Sequence, residues 1–411
     1  MRRALPTIVC CLLARAGLAA EPPAAVALGE HAELLKLPKD NTPTTSLGRA
    51  FVRLSPTGRR LLYLRRHRGA GTIPHLVEVG RPKSDSPVPW EGQGIGVYYA
   101  RLGMSGVVWR ADGQRAMFLQ PKRNDDGTWV PDYQCTMSAW AMCWDAANPQ
   151  CGRIQRMSLG RDLGCTSASY SADGKMLWTA LGNPKYHKLC GVTEWDHARR
   201  RGATIYKRDK GAIFHLAPSP DGKHLAWVEQ TPAKKNGVKL EVVVFRRKGH
   251  KTLLRYELTG HLPRWLDVQP PIWTRDSKGV CFGDVIVRDR VFRRQVYVWD
   301  LAGKGPRPIV QFAWCVGAAA QGLVLNRGPG CTPMRQHISS FIPPGRVMPT
   351  VDEIILADPA GARAPQTLLS GAFAQQVVGD RLVYVQASGE DMLVMSVRMG
   401  SRRGAGKASE E

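Results

Sequence analysis

The residues best suited to chemistry fall into three groups: clustered cysteines, a tryptophan-rich segment and runs of arginine. Eight cysteines follow Cys10 and Cys11, and five of them (Cys135, Cys143, Cys151, Cys165 and Cys190) fall within one stretch. An even count in an exported chain permits disulfides, and pairing is expected among these five, with connectivity open. Cys281 sits in the apolar run VCF and reads as a buried thiol. The cysteine spacing does not match a zinc site, and there is no CxxC or CxxCH. No metal site, cofactor or catalytic residue is assigned. The chain has no GxSxG elbow, no HExxH, no Walker A and no phosphate-binding GxGxxG before a helical pattern.

The segment PKRNDDGTWVPDYQCTMSAWAMCWDAANPQC carries Trp129, Tyr133, Trp140 and Trp144. It is either a lip that presents aromatic rings to a ligand or a local mini-core over one sheet. Basic runs stand at Arg65-Arg66-His67-Arg68, Arg199-Arg200-Arg201, Lys207-Arg208, Arg246-Arg247-Lys248 and Arg293-Arg294. Gathered on one face they would bind a polyanion; scattered, they serve solubility. His215 and Trp273 each precede a recurring turn and would either line an axial pocket or sit hydrogen-bonded in the core. The candidate binding residues are therefore His215, Trp273, Trp129, Tyr133, Trp140, Trp144, Arg65, Arg66, Arg68, Arg246 and Arg247.

The elements that must position these residues come from a repeat. Its clearest copy is IFHLAPSPDGKHLAWVEQ, in which Ser219-Pro220-Asp221-Gly222 is a turn between two apolar strands. Proline presets φ, aspartate bonds back to the backbone, and glycine takes the position that needs positive φ. Comparable turns occur at Thr57-Gly58, Asp112-Gly113, Asp173-Gly174 and Asp276-Ser277, with weaker copies near Gln321-Gly322 and Gly379-Asp380. Steps between them are 55, 61, 48, 55, 45 and 58 residues. A second strand–turn–strand unit, such as LEVVVFRRKGHKTLLRYEL or QVYVWDLAGKGPRPIV, follows most hairpins, giving four strands per repeat. No segment has sustained helical periodicity.

The SPDGKxLAW core followed by a VYVWD-type strand resembles the blades of TolB-like β-propellers. The resemblance covers roughly residues 51–399, clear in five copies and degraded in two. It implies an all-β chain: a seven-bladed propeller of four-stranded antiparallel blades, with six blades as the alternative. The last repeat lacks a fourth strand, and Glu33 to Pro38 is expected to supply it and close the ring.

Arg2 and Arg3, the apolar run from Leu5 to Leu13 and the small residues after it read as a signal peptide, cut after Ala19 or Ala27. The expected layout is a signal at 1–27, one propeller domain at 28–399 and a disordered tail at 400–411. The run is too short to span a membrane, so the expected location is periplasmic or secreted. The chain carries 58 Lys+Arg against 34 Asp+Glu, a net charge of +24, which bears on partners rather than on fold. The first reading is a non-enzymatic scaffold for an acidic envelope protein or polymer. The rival is an enzyme on acidic polysaccharide, similar to the oligogalacturonate lyases. Nucleic acid is a third, less favoured partner, and oligomeric state is not legible.

Overall fold

The computed structural model describes residues 26–38, 52–67, 71–88, 107–121, 137–143, 154–156, 165–183, 188–196, 201–233, 238–259, 268–288, 291–303, 305–328, 331 and 352–400. The elements formed by these residues are all strands, numbered β1 to β28 in chain order. Five sheets have four antiparallel strands. Sheet I holds β2 (Val52–Leu54), β3 (Arg60–His67), β4 (Gly71–Glu78) and β5 (Arg81–Pro87). Sheet IV holds β14 (Ala212–Pro218), β15 (His224–Pro232), β16 (Val238–Arg246) and β17 (Lys251–Glu257). Sheet V holds β18 (Ile272–Trp273), β19 (Gly279–Arg288), β20 (Val291–Asp300) and β21 (Arg307–Gln311). Sheet VI holds β22 (Ala313–Ala319), β23 (Gly322–Arg327), β24 (Glu353–Ala357) and β25 (Gln366–Ser370). Sheet VII joins β26 (Ala372–Val378), β27 (Arg381–Ser388) and β28 (Asp391–Gly400) to β1 (Ala27–Pro38).

The remaining strands depart from a uniform repeat. Group II, β6 (Val107–Trp109), β7 (Arg115–Pro121), β8 (Met137–Cys143) and β9 (Ile154–Arg156), is fused to group III. Group III is β10 (Cys165–Tyr170), β11 (Met176–Asn183), β12 (Lys188–Asp196) and β13 (Arg201–Arg208). Together they make an eight-stranded sheet, because β9 and β10 share one edge of β8 and Cys165 pairs with Met137. At the other end of the chain, Ala27 lies opposite Gly400 and Pro38 opposite Asp391. The segment Glu33–Pro38 is thus the outer strand of the last sheet, part of a strand that begins six residues earlier, at Ala27.

The apolar runs are long because central strands are buried on both faces. In β16, Val242 and Val244 pack with Phe282, Trp273 and Trp299 of sheet V. Val243 and Phe245 turn the other way, onto Trp178, Val192 and Trp227. A two-residue period on a doubly covered strand gives VVVF rather than alternation with polar residues. Similar layers lie between sheets V and VI, VI and VII, and VII and I. The core therefore lies between successive sheets.

In four sheets the innermost strand has one edge that no strand covers, and a side chain from the neighbouring repeat satisfies backbone groups there. Asn326, fully buried, donates to Ala374 O (2.9 Å) and accepts from Ala374 N (2.7 Å). Gln376 accepts from Leu54 N (2.8 Å) and donates to Leu54 O (3.2 Å). Gln269 Oε1 accepts from Cys315 N (2.9 Å), and Ser167 Oγ from Leu216 N (2.8 Å). Replacing Asn326 by leucine leaves both polar groups of Ala374 buried and unpaired, at about 1–3 kcal/mol for each such group. Urea unfolding of Asn326→Leu should show a loss of about 3 kcal/mol; a loss under about 0.5 kcal/mol would contradict this role.

Candidate binding face

Three of the recurring turns are built in the same way from side chain and backbone. In the clearest copy Gly222 N bonds Ser219 O (2.9 Å) and Ser219 N bonds His224 O (2.9 Å). The Ser219 hydroxyl donates to Asp221 Oδ1 (2.6 Å) and accepts from His224 N (2.9 Å), while Lys223 N donates to the same Oδ1 (3.0 Å). Gly222 takes φ +68°, the left-handed region that glycine enters without steric cost. Ser171-Asp173 and Thr274-Asp276 reproduce this network. In the last of these Ser277 holds φ +61° without being glycine, and its hydroxyl accepts from Asp221 N of the adjacent turn (3.0 Å).

These bonds occupy the aspartates. For Asp173 and Asp276 the hydroxyl bond and the following amide hold the carboxyl below its usual range. For Asp221 partial burial pushes the other way, and the bonds from Ser219 and Lys223 N outweigh it. Asp112 behaves likewise, with Arg110 and the Gln114 amide overcoming burial. The residue after each positive-φ position is basic in four turns, Arg59, Lys175, Lys223 and Lys278, and all four are exposed. Lys223 Nζ lies 3.7 Å from Asp221, yet its side chain stays 75% exposed.

Contacts between neighbouring tips place these turns on one side of the molecule. Arg60 Nη1 donates to Gly113 O (3.1 Å), and Gly174 packs against the Arg110 side chain. Arg247 donates to Glu194 (2.8 Å) and to Gly222 O (2.6 Å) and lies 4.9 Å over the Trp178 ring. Arg307 bonds Pro359 O, Gln321 Nε2 bonds Met399 O (3.1 Å), and Arg381 reaches Gly58. The second turn of sheet IV adds exposed Arg246, Lys248 and Lys251 to the same side.

At the opposite strand ends several of the described charges are paired. Glu229, fully buried, accepts from Tyr206 (2.7 Å), Arg255 (3.2 Å) and Arg208. Burial pushes its carboxyl up, but Tyr206, Arg255 and Arg208 together hold it below the usual range. Arg255 also pairs with Glu241 (3.3 Å), Lys239 with Glu257 (3.0 Å) and Arg327 with Glu353 (2.6 Å).

Between sheets V, VI and VII the tip face carries a groove of about 1030 Å³. Its floor is the β22–β23 turn, with Ala319, Ala320 and Leu323, and its walls are the β18–β19 and β24–β25 turns. Arg275 and Arg363, both exposed, stand on those walls. Val26 lines one end and is fixed by two bonds with the Gln366 side chain (3.2 and 3.4 Å).

The residues singled out in the sequence are not gathered in one place. His215 is buried in a bulge of β14 at φ +56°. Trp273 is buried and gives its indole N–H to Ala217 O (2.9 Å), tying sheet V to sheet IV. Arg65 lies 3.5 Å from Asp85, which Tyr63 and His75 also engage. Of the run at 246–248, Arg246 is exposed on the tip face while Arg247 is the clamp just described. Only the backbone is described for Arg66, Trp140, Cys143 and Cys165; Trp129, Tyr133, Trp144, Arg68, Cys135 and Cys151 lie outside the described residues.

Cys190 is a free, buried thiol, pushed up to about 12 by burial and by the Glu229 carboxylate, and makes no disulfide. Cys281, Cys315 and Cys331 are also free and buried. Among the described residues no three His, Cys, Asp or Glu side chains form a metal-holding group, and no helix is long and apolar enough to cross a membrane. No basic run marks Arg275 and Arg363 in the sequence, since both stand alone in their turns. None marks Arg53 either, buried on β2, which bonds Val52 O and Gln375 O (both 3.0 Å) and whose burial lowers its pKa to about 10.

The arrangement of sheets is similar to that of solved structures. The tricorn protease matches 92% of this chain with 36% of its own, at TM-score 0.52 and 10% identity. An oligogalacturonate lyase in complex with manganese matches 92% of this chain with 97% of its own, at TM-score 0.51 and 8% identity. The chain has a β-propeller fold. A putative TolB from Agrobacterium tumefaciens, also a propeller, matches 64% of this chain and 80% of its own at TM-score 0.40 and 12% identity, too distant to place the chain in that family. No family profile and no curated protein matches the sequence. At these identities the likeness extends to the propeller and not to its activity.

The depressed turn aspartates and Glu229 tie stability to pH with a definite sign. Their contribution is complete above the unfolded carboxylate value of about 4 and is lost as pH falls through the lower folded values. Calorimetry from about pH 6 to about pH 2 should show a steadily falling midpoint. Asp173→Asn should lower the midpoint at neutral pH and flatten its decline in acid; an unchanged slope would count against the turn network.

Proposed function

We propose that this chain is an exported propeller of seven blades, closed by the pairing of β1 with β28. We infer that it is a non-enzymatic scaffold that holds an acidic macromolecular partner of the cell envelope on its tip face. One observation carries the reading: the turns that build the blades leave Arg59, Lys175, Lys223 and Lys278 exposed at equivalent positions, and in the last three the turn aspartate is engaged by its own turn. Cations repeated around a rigid rim sum their fields over a distance that single surface lysines do not reach. With a signal cut after Ala19, which removes Arg2, Arg3 and Arg15 from the +24 of the full chain, a net charge of +21 supplies the long-range attraction.

Export fits a signal cut after Ala19 better than one after Ala27. The earlier cut keeps Val26 and Ala27, whose bonds to Gln366 and pairing with Gly400 belong to the last two sheets.

The reading predicts salt-sensitive retention on immobilised heparin, a generic polyanion, because exposed charge pairs are screened within about 8–10 Å at 0.1–0.15 M salt. Lys175→Glu, Lys223→Glu and Lys278→Glu combined should elute at clearly lower salt than the parent. Lys36→Glu, paired with Asp391 away from the tips, should elute with the parent. Identical elution of the triple variant and the parent would remove the tip face from the account.

A further inference from the structure

We propose that the groove between sheets V, VI and VII is the specific site of this face, and that it receives an extended acidic-aliphatic peptide segment of a partner protein. The inference rests on the tip-face reading above and adds to it the place and the ligand class. The volume of about 1030 Å³ is at the upper end of ordinary ligand pockets, room for several residues rather than one small molecule.

Three properties select the occupant. First, the groove presents two guanidinium groups without acidic partners. Arg275 and Arg363 make no ion pair among the described residues. Asp276 and Asp358 also line the groove and keep their charge, but each is fixed within its own turn: Asp276 by Thr274 (2.7 Å) and the Lys278 amide (3.1 Å), Asp358 by the Ala360 amide (2.9 Å). Carboxylates entering the groove therefore meet guanidinium groups able to bind them in a bidentate fork.

Second, the surface between the cations is aliphatic and small, formed by Ala319, Ala320, Leu323, Leu356 and Pro365. Short aliphatic side chains bury area there, whereas no aromatic ring lines the groove among the described residues. A single-stranded nucleic acid would lack its stacking platforms.

Third, the walls are held in place before any ligand arrives. Gln321 anchors the floor to Met399 O, Arg307 fixes the β24–β25 turn through Pro359 O, and Gln366 fixes Val26. A preformed groove spares the ordering cost that weakens peptide binding.

The test uses the full chain and a fluorescent synthetic peptide of alternating glutamate and leucine, with alternating lysine and leucine as control. Anisotropy should show saturable binding of the acidic peptide alone. Arg275→Glu combined with Arg363→Glu should weaken it at least tenfold. Ala320→Trp, at an exposed position, should fill the floor and weaken it similarly while leaving the melting midpoint and heparin retention at parental values. Acidic-peptide binding unchanged by Ala320→Trp would overturn the groove while leaving the charged face standing. Displacement of the peptide by single-stranded DNA at lower concentration than by unlabelled peptide would overturn the ligand class. A parent chain that does not stay on heparin would remove the underlying reading, and the groove with it.

Discussion

An innermost strand with no strand on its far side is the constraint that everything else answers. Its N–H and C=O groups are buried against the next sheet, where an unpaired group costs as much as a lost hydrogen bond. Asn326, Gln376, Gln269 and Ser167 meet that demand from the adjacent sheet. Each link fixes the height of one sheet against the next, since a slip of one residue would move the amide off its partner. The apolar layers between sheets are less discriminating, because valine on valine tolerates sliding. Register between sheets is polar work; cohesion is apolar work.

The hairpin turn connects stability to the surface the molecule shows. A Ser or Thr hydroxyl, an aspartate and a left-handed residue close the turn, and closing it satisfies the carboxylate internally. The following lysine lends its amide to that carboxylate and its side chain to solvent. One local device therefore builds the blade, fixes the exposed carboxylate within its own turn and leaves the neighbouring lysine free to reach solvent. On the other side of the molecule, among the described residues, long side chains pair across strands.

The turns and strands were legible because each repeat carries its mechanism within a few residues. Asp221-Gly222 and Asp173-Gly174 announce a hairpin without reference to the rest of the chain, and the apolar LEVVVF announces a strand covered on both faces. The assignment of β1 to the last sheet was legible by elimination, from a repeat short of one strand. The inter-sheet amides were not, since Asn326 and Gln269 find their partners 48 and 46 residues away and no local spacing marks them. Arginine runs misled for the same reason: Arg246 and Arg247 are adjacent in sequence, yet one faces water and the other clamps two sheets. Cys190 is buried as a free thiol between sheets III and IV, an environment that counting cysteines along the chain does not reveal. Solitary Arg275 and Arg363 gain meaning only when separate turns meet around a groove.

The pairing of β1 with β28 sets an order of assembly. β1 is the first described strand to leave the ribosome, and its partner leaves more than 350 residues later, since Pro38 faces Asp391. At ordinary translation speeds of about 5–20 residues per second, the first strand waits tens of seconds with its ladder unmade. Sheets IV and V, assembled from contiguous sequence, need no such delay. The seam between the two chain ends is the last part to form, and a chain stopped short of residue 391 would hold a set of stacked sheets with an unclaimed first strand.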